Sequence, residues 1–160
     1  MRKRVICVRT CLVREASVLY ESENGKRSIT SPEEAAKFAA SFFEGSDKEM
    51  IYVCTLNGNN EPVTMEMVAK GSVNWCKADI SQIYKTAIIS NAASIICFHN
   101  HPSGCIEPSG VDKLITEKME TAGRYLDIPL RDHIIIGENG NFYSFRRDGT
   151  ELETETEWFE

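Results

Sequence analysis

The sequence predicts an α/β domain, built from a mixed β-sheet flanked by about three helices. Apolar runs of strand length alternate along the chain with segments whose apolar residues recur at helical spacing. No internal repeat or low-complexity linker interrupts this alternation. The 160 residues, 42% of them hydrophobic, are enough to bury one core. We therefore expect one domain over residues 1–150, followed by an acidic tail at residues 151–160.

Three segments have the start signals and apolar spacing of amphipathic helices. The first begins at Ser31-Pro32-Glu33-Glu34, a capping box with proline at the first helical position, and should end at Gly45. The second begins at Asp79, and the third follows Ser109. Their predicted inward faces consist of Ala35, Phe38, Ala39 and Phe42 in the first helix, of Ile80, Ile83, Tyr84, Ala87 and Ile88 in the second, and of Val111, Leu114, Ile115, Met119, Ala122 and Leu126 in the third.

The strand predictions rest on alternation and on runs of β-branched and aromatic residues. Asn-Gly turns predict two hairpins, one formed by residues 50–56 and 63–69 and the other by residues 130–136 and 142–145. The apolar run at residues 94–98 is typical of a strand that is buried on both faces. Residues 4–20 alternate charged or polar residues with apolar ones, which predicts an edge strand.

The stretch from His99 to Asp112, HNHPSGCIEPSGVD, is where the sequence is most informative about chemistry. His99 and His101 have the same parity along an extended segment, so both imidazoles can point to one side while Asn100 points elsewhere. Ser109 is a predicted helix N-cap that would hold Asp112 in the first helical turn. Two imidazoles and a carboxylate suit zinc, and three protein ligands leave a fourth position open.

These residues resemble a known family. The pattern H-x-H followed by serine and aspartate, here His99, His101, Ser109 and Asp112, resembles the JAMM motif of MPN (also called JAB) metalloproteases. The string His-Asn-His-Pro-Ser-Gly and the segment Asp-His-Ile-Ile-Ile-Gly at 132–137 are similar to the RadC-like branch. The resemblance implies a single MPN/JAB-like, cytidine-deaminase-like domain. Long RadC proteins carry an N-terminal helix-hairpin-helix region, for which we expect no room here.

The resemblance also implies an activity, namely zinc-dependent hydrolysis of an amide, peptide or isopeptide bond. His99, His101 and Asp112 would hold Zn2+, and the ion would activate a water. The family has a glutamate upstream, before a Gly-Thr/Ser segment, and Glu66 matches that position, with Glu61 as a rival. Glu66 is then expected to be the general base, and the Ser109 hydroxyl is expected to donate to the developing oxyanion.

Other residues of the motif region are candidates for supporting roles. Asn100, Ser103 and His133 are candidates for positioning the metal ligands or the substrate. His133 is placed in this group and not among the ligands, because a fourth protein ligand would close the metal site. Cys105 stands where the RadC-like string commonly has aspartate, and it is a candidate modulator because sulfur is a strong zinc donor. Gly110 stands where a larger polar residue is common and should loosen the turn that presents the aspartate.

Charge and hydropathy restrict the partners. Residues 1–30 carry a net charge of +4 and the remainder −10, so most of the surface should repel phosphates, and we expect weak or no direct nucleic-acid binding. No apolar run approaches the roughly 20 residues that span a bilayer, and no signal-peptide pattern is present, so we expect a cytoplasmic protein without a membrane partner. The six cysteines contain no C-x-x-C pair and are expected to be reduced thiols, mostly packed as small apolar groups.

Three classes of function compete at this stage. A zinc hydrolase acting on a peptide or protein substrate accounts for the open three-ligand site. A non-catalytic protein-interaction module in DNA repair, replication or mobile-element biology is the alternative that the RadC resemblance suggests. Zinc-dependent nucleobase deamination would need a P-C-x-x-C ligand pair, which the chain does not have. The sequence leaves the substrate and the oligomeric state open.

Overall fold

The computed structural model describes residues 9–17, 27–71 and 79–149, and it confirms the predicted α/β class. Those residues form one five-stranded mixed sheet and four helices. In chain order, the elements are α1 (Pro32–Ala40), β1 (Met50–Leu56), β2 (Pro62–Lys70), α2 (Ile80–Ile89), β3 (Ser94–Asn100), α3 (Gly110–Leu126), β4 (Leu130–Ile136), β5 (Phe142–Ser144) and α4 (Phe145–Asp148).

The strand order is β2-β1-β3-β4-β5. Both predicted hairpins are confirmed, because β1 pairs antiparallel with β2 and β4 pairs antiparallel with β5. β1 also pairs antiparallel with β3, while β3 and β4 are parallel and are connected through α3, as a parallel pair requires. β3 extends two residues beyond its predicted end at Phe98, so that His99 lies inside the sheet. The short helix α4 was not predicted.

The N-terminus of α1 uses the predicted motif with one change of partner. The Ser31 side chain accepts from the Glu34 backbone N–H at 3.1 Å, and Pro32 is the first helical residue. The Glu34 carboxylate accepts from the backbone N–H and the hydroxyl of Thr30, both at 2.7 Å, which extends the cap by one residue. The helix ends at Ala40, before the predicted Gly45, which has a positive φ in the turn that follows.

The sheet separates two hydrophobic cores. On one face, α1 packs against alternate residues of the central strands, including Cys54, Ile96, Phe98 and Ile134. On the other face, α2 and α3 pack against the intervening residues, including Val53, Ile95 and Cys97. We call these the α1 face and the α2/α3 face. Side chains alternate between the faces along each strand, so His99 shares the α2/α3 face with Cys97.

The inward faces predicted for the helices were partly wrong. In α3, Val111, Leu114 and Leu126 are exposed, and the buried residues are Asp112, Thr116, Met119 and Gly123. A side chain at Gly123 would clash, because its Cβ would lie 2.8 Å from the backbone carbonyl oxygen of Ile128. Ile88 of α2 is exposed, and Phe38 and Phe42 are only partly buried. The inward side of α3 is therefore polar at its N-terminal end.

Several predictions concern the termini, the cysteines and the membrane. Residues 9–17 are exposed and belong to no strand, so the predicted edge strand is wrong there, because this segment lacks the pairing to the sheet that an edge strand needs. The rest of that segment and the tail at 151–160 lie outside the described residues.

Cys54 and Cys97 are free and buried, as expected, whereas Cys11 and Cys105 are free and exposed. In the described part of the chain, no helix is long and apolar enough to cross a membrane.

Candidate metal centre

The C-terminal end of β3 brings the two histidines together. His99 is 1% exposed, while His101 directly follows the strand and is partly exposed. Their Nε2 atoms are 3.1 Å apart, which confirms that the two imidazoles point to one side. Asn100, between them, points away from the imidazoles and binds the backbone of the neighbouring segment.

The first turn of α3 supplies the carboxylate. The Ser109 side chain accepts from the Asp112 N–H at 3.2 Å, and the Asp112 carboxylate accepts from the Ser109 N–H at 2.7 Å, which confirms the predicted N-cap. This reciprocal pair holds the carboxylate towards the histidines. Asp112 Oδ1 lies 3.2 Å from His99 Nε2, and Oδ2 lies 3.3 Å from His101 Nε2.

The electrostatics of the cluster favour a cation at its centre. Burial opposes ionisation of Asp112, but hydrogen bonds with His101 and His99 outweigh it and hold the pKa of the carboxyl well below its usual value. The hydrogen bond to Asp112 is the main cause that raises the pKa of His101. The carboxylate is therefore ionised, and positive charge beside it is stabilised.

The three side chains fit a divalent metal such as zinc. His101 Nδ1 lies 2.7 Å from the Cys105 carbonyl oxygen, so Nδ1 must carry the proton in the neutral ring, which leaves Nε2 as an acceptor. That acceptor faces the acceptor oxygens of Asp112, and only a proton or a metal ion between them relieves the repulsion. One ligand atom from each of His99, His101 and Asp112 can be chosen so that all lie within 4.8 Å of one another. Two nitrogens bound tetrahedrally to zinc at about 2.1 Å would be about 3.4 Å apart, close to the separation observed here.

A fourth titratable residue near the cluster is Glu49, which the sequence analysis missed. Ile51 of β1 pairs with His99 of β3, and continuing this antiparallel register by two residues brings Glu49 level with His101 on the same face. Burial is the largest cause that raises the pKa of the Glu49 carboxyl, and the Asp112 carboxylate raises it further, which places Glu49 within electrostatic range of the cluster. Glu49 therefore lies at the rim of the candidate metal centre.

Asn100 fixes the backbone on both sides of Glu49. Its side-chain amide donates to the Lys48 carbonyl at 3.1 Å, and its carbonyl oxygen accepts from the Met50 N–H at 2.9 Å. The Gly71 N–H also donates to the Glu49 carbonyl at 2.9 Å. The candidate supporting role of Asn100 thus takes a specific form, since this side chain ties the start of β1 to the end of β3.

Glu66 and Glu61 lie elsewhere, which argues against the predicted role of Glu66. The Glu66 carboxylate accepts a hydrogen bond from the Thr86 hydroxyl and lies 3.7 Å from Lys85 Nζ, both on α2. Glu61 accepts from the Asn57 amide at 2.7 Å in the turn at the opposite end of β1. Glu66 was matched by its place in the sequence. In the structure β2 pairs it with Val53 of β1, two residues beyond Ile51, and there its partly exposed side chain contacts α2.

His133 contacts the cluster from the neighbouring parallel strand. The ring is 2% exposed, its Nε2 lies 2.8 Å from His99 Nδ1, and its Nδ1 lies 2.7 Å from the Thr116 hydroxyl. Burial is the largest cause that lowers the pKa of His133 well below the usual histidine value. The ring also stacks on Phe145 at a centroid distance of 4.9 Å. His133 therefore lies behind His99 as a neutral hydrogen-bonding partner.

The loop between β3 and α3 holds the remaining candidates. The Ser103 hydroxyl accepts from the Cys105 N–H at 3.3 Å, and both residues are exposed. The Cys105 sulfur accepts from the Glu107 N–H at 3.4 Å, while its carbonyl orients His101. Ser109 is also exposed, and because its oxygen only accepts within the cap, its hydroxyl proton is available to another partner.

Comparison with known proteins agrees with this geometry. The family model of the RadC-like JAB domain matches residues 29–150. A protein named UPF0758 protein from Pelodictyon phaeoclathratiforme is 36% identical over 131 residues, which cover 82% of this chain and 59% of that relative. A UPF0758 protein from Chlorobium chlorochromatii is 34% identical over the same extent. This chain thus belongs to the RadC-like JAB domain family, and it spans about 59% of the length of these relatives.

Proposed function

We propose that this protein is a zinc-dependent metallohydrolase of the JAMM type that cleaves an amide, peptide or isopeptide bond. The observation that carries the proposal is the convergence of His99, His101 and Asp112, whose ligand atoms face one another at the end of β3. Membership of the JAB domain family supports it. Three protein ligands leave one coordination position for water, which is typical of catalytic zinc.

The surrounding side chains account for the steps of hydrolysis. Bound zinc would supply a Lewis acid and would lower the pKa of a water toward about 7. Glu49 takes the role that the sequence analysis gave to Glu66, accepting a proton from the attacking water and passing it to the leaving amine. Ser109 donates its hydroxyl proton to the oxyanion that forms on the substrate carbonyl. Asn100 holds the Glu49 backbone in place.

The first test of this proposal is metal content. We expect one zinc per chain in the wild-type protein, and none in the double variant His99→Ala/His101→Ala, because these nitrogens are two of three ligands. Metal analysis after dialysis against an excess of metal-free buffer measures the zinc content of both proteins. Equal zinc in the two proteins would refute the ligand assignment. His133→Gln serves as a control that also removes a histidine ring, and it is measured at saturating zinc without the dialysis step. It should hold one zinc per chain there, because His133 is not a proposed ligand.

The second test separates the two glutamates. Glu49→Gln should keep zinc and the fold. Its rate of hydrolysis of fluorescence-quenched peptides or lysine isopeptides should fall by about 100- to 10,000-fold, because the general base is lost. Glu66→Gln, which removes the same charge 17 positions along the chain, should keep wild-type turnover. The reverse result would return the catalytic role to Glu66. Loss of zinc from Glu49→Gln would make Glu49 a ligand.

A role as a protein-interaction module is the second candidate, favoured by exposed apolar residues on α3. Val111 is 62% exposed and Tyr125 is 86% exposed. We expect protein partners rather than nucleic acid, because the net charge of the chain is −6. Titration with duplex and single-stranded DNA at low and physiological salt tests this expectation. Tight, sequence-selective binding at physiological salt would favour a function directed at DNA.

A further inference from the structure

The buried contacts behind His99 form a continuous chain of hydrogen bonds. His99 Nδ1 lies 2.8 Å from His133 Nε2, and His133 Nδ1 lies 2.7 Å from Thr116 Oγ1. Thr116 Oγ1 in turn lies 2.7 Å from the backbone carbonyl oxygen of Asp112, one turn earlier in α3. The chain therefore links the two sides of the metal centre, from one proposed ligand to the backbone of another.

Counting protons fixes the direction of each bond. The Asp112 carbonyl has no proton, so the single hydroxyl proton of Thr116 is donated there. Thr116 can then only accept from His133, which places the His133 proton on Nδ1. A neutral His133 has no second proton, so its Nε2 accepts from His99, whose own proton must be on Nδ1. The His99 Nε2 lone pair then faces His101 and Asp112.

We propose that Thr116 and His133 are positioning residues that fix His99 in the Nδ1–H tautomer and so keep its Nε2 available to a divalent metal. If the Thr116 hydroxyl instead donated to His133, each proton in the chain would move to the other nitrogen. His99 would then carry its proton on Nε2, where it would block coordination. The orientation of one hydroxyl thus controls one ligand. The inference rests on the proposed role of His99 as a metal ligand.

Nitrogen NMR of the metal-free protein tests the tautomers directly. In wild-type protein labelled with 15N-histidine, at a pH where the rings are neutral, two-bond correlations should show the proton on Nδ1 in both His99 and His133. A proton on Nε2 of His99 would overturn the inference. Protein that shows both Nδ1–H tautomers but takes up no zinc would contradict the proposed function while supporting the tautomer assignment.

Variants of Thr116 test the effect on the metal. Thr116→Val removes the hydroxyl at constant shape, so the His99 tautomers should mix and zinc affinity, measured by chelator competition, should fall by about 10- to 100-fold. Thr116→Ser should restore the wild-type affinity and spectrum. Thr121→Val, an exposed threonine of the same helix, is the matched control and should bind zinc as wild type does. Unchanged zinc affinity in folded Thr116→Val would refute the proposal. If that variant does not fold, the wild-type spectrum alone decides.

Discussion

The two faces of the sheet use alternate residues of the same strands for different purposes. On β3, Ile96 and Phe98 enter a largely apolar core beneath α1, whereas Ile95 and Cys97 begin a core that ends at His99. A shift of one residue in the strand register would exchange the two sets. The apolar residues therefore hold the register, and the register determines where the imidazole points.

Each face also contains one buried aspartate, and their environments differ. Asp132 is fully buried, and its carboxylate accepts from the Ser144 hydroxyl and from the backbone N–H groups of His133 and Arg146. Burial raises the pKa of Asp132 to about 7 in spite of these donors. Asp112, by contrast, meets two imidazoles, and its pKa is lowered. The first carboxylate ties β4 to β5 and α4, and the second offers oxygens to a cation.

The largest expected effect on stability comes from the α1 face. Ile96→Ala should lower the free energy of unfolding by about 2–5 kcal/mol, because it opens a cavity in a fully buried core. Urea denaturation of the metal-free protein measures the change. At saturating metal, the variant should still hold one zinc per chain, whereas His99→Ala should lose zinc with a smaller change in stability. If Ile96→Ala lost zinc while remaining folded, the two faces would be coupled.

Asp132 should make stability depend on pH. Its folded pKa of about 7 lies above the usual aspartate value, so the native state binds more protons than the unfolded state between about pH 4 and pH 7. The stability of the metal-free protein should therefore fall as pH rises through this window, on the order of 1–4 kcal/mol at about 1.4 kcal/mol for each unit of pKa shift. Asp132→Asn should lack this component. Parallel pH profiles for the two proteins would contradict the raised pKa.

The sequence predicted the five strands of the sheet well, and for β1, β3 and β4 the reason is that their apolar runs reflect burial directly. The edge strand predicted over residues 4–20 was wrong for residues 9–17. The helix α3 shows where the same logic failed. Its buried residues, Asp112, Thr116, Met119 and Gly123, recur at helical spacing, but two are polar and one has no side chain. Hydropathy alone therefore selected a neighbouring stripe that included the exposed Val111 and Leu114. Of the two polar positions on the inward side of α3, Asp112 belongs to the candidate metal centre and Thr116 contacts His133 behind it.

Glu49 shows a second limit, which is non-local pairing. The candidate histidine and aspartate ligands lie within fourteen residues, so their spacing and the helix cap were enough to predict that they converge. Glu49 reaches the cluster only because β1 pairs with β3 across more than 40 residues of chain. The local sequence predicted the β1–β2 hairpin but contained no signal for the second partner of β1. An acidic residue directly before a buried strand was the only available hint.

Asn100 should connect the strand register to catalysis. Asn100→Ala leaves the Lys48 carbonyl and the Met50 N–H without their partner and should cost about 1–3 kcal/mol in stability. Turnover should fall even under conditions in which the variant is fully folded, because the backbone that carries Glu49 is no longer held. Zinc affinity should stay near the wild-type value. Urea denaturation, chelator competition and peptide hydrolysis separate these effects. A variant with reduced zinc affinity and normal turnover would contradict a positioning role towards Glu49.

Gly110 should give the smallest effect, and it tests whether the turn that presents Asp112 is loose. A Cβ at Gly110 would meet no atom within 4 Å, and the residue begins α3 without a positive φ. Gly110→Ala should therefore raise the free energy of unfolding by about 0.4–1 kcal/mol, because it reduces the freedom of the unfolded chain. The capping box already holds Asp112 through Ser109, so zinc affinity should rise less than twofold. A larger gain in zinc affinity would mean that the glycine, and not the cap, limits how firmly the carboxylate is held.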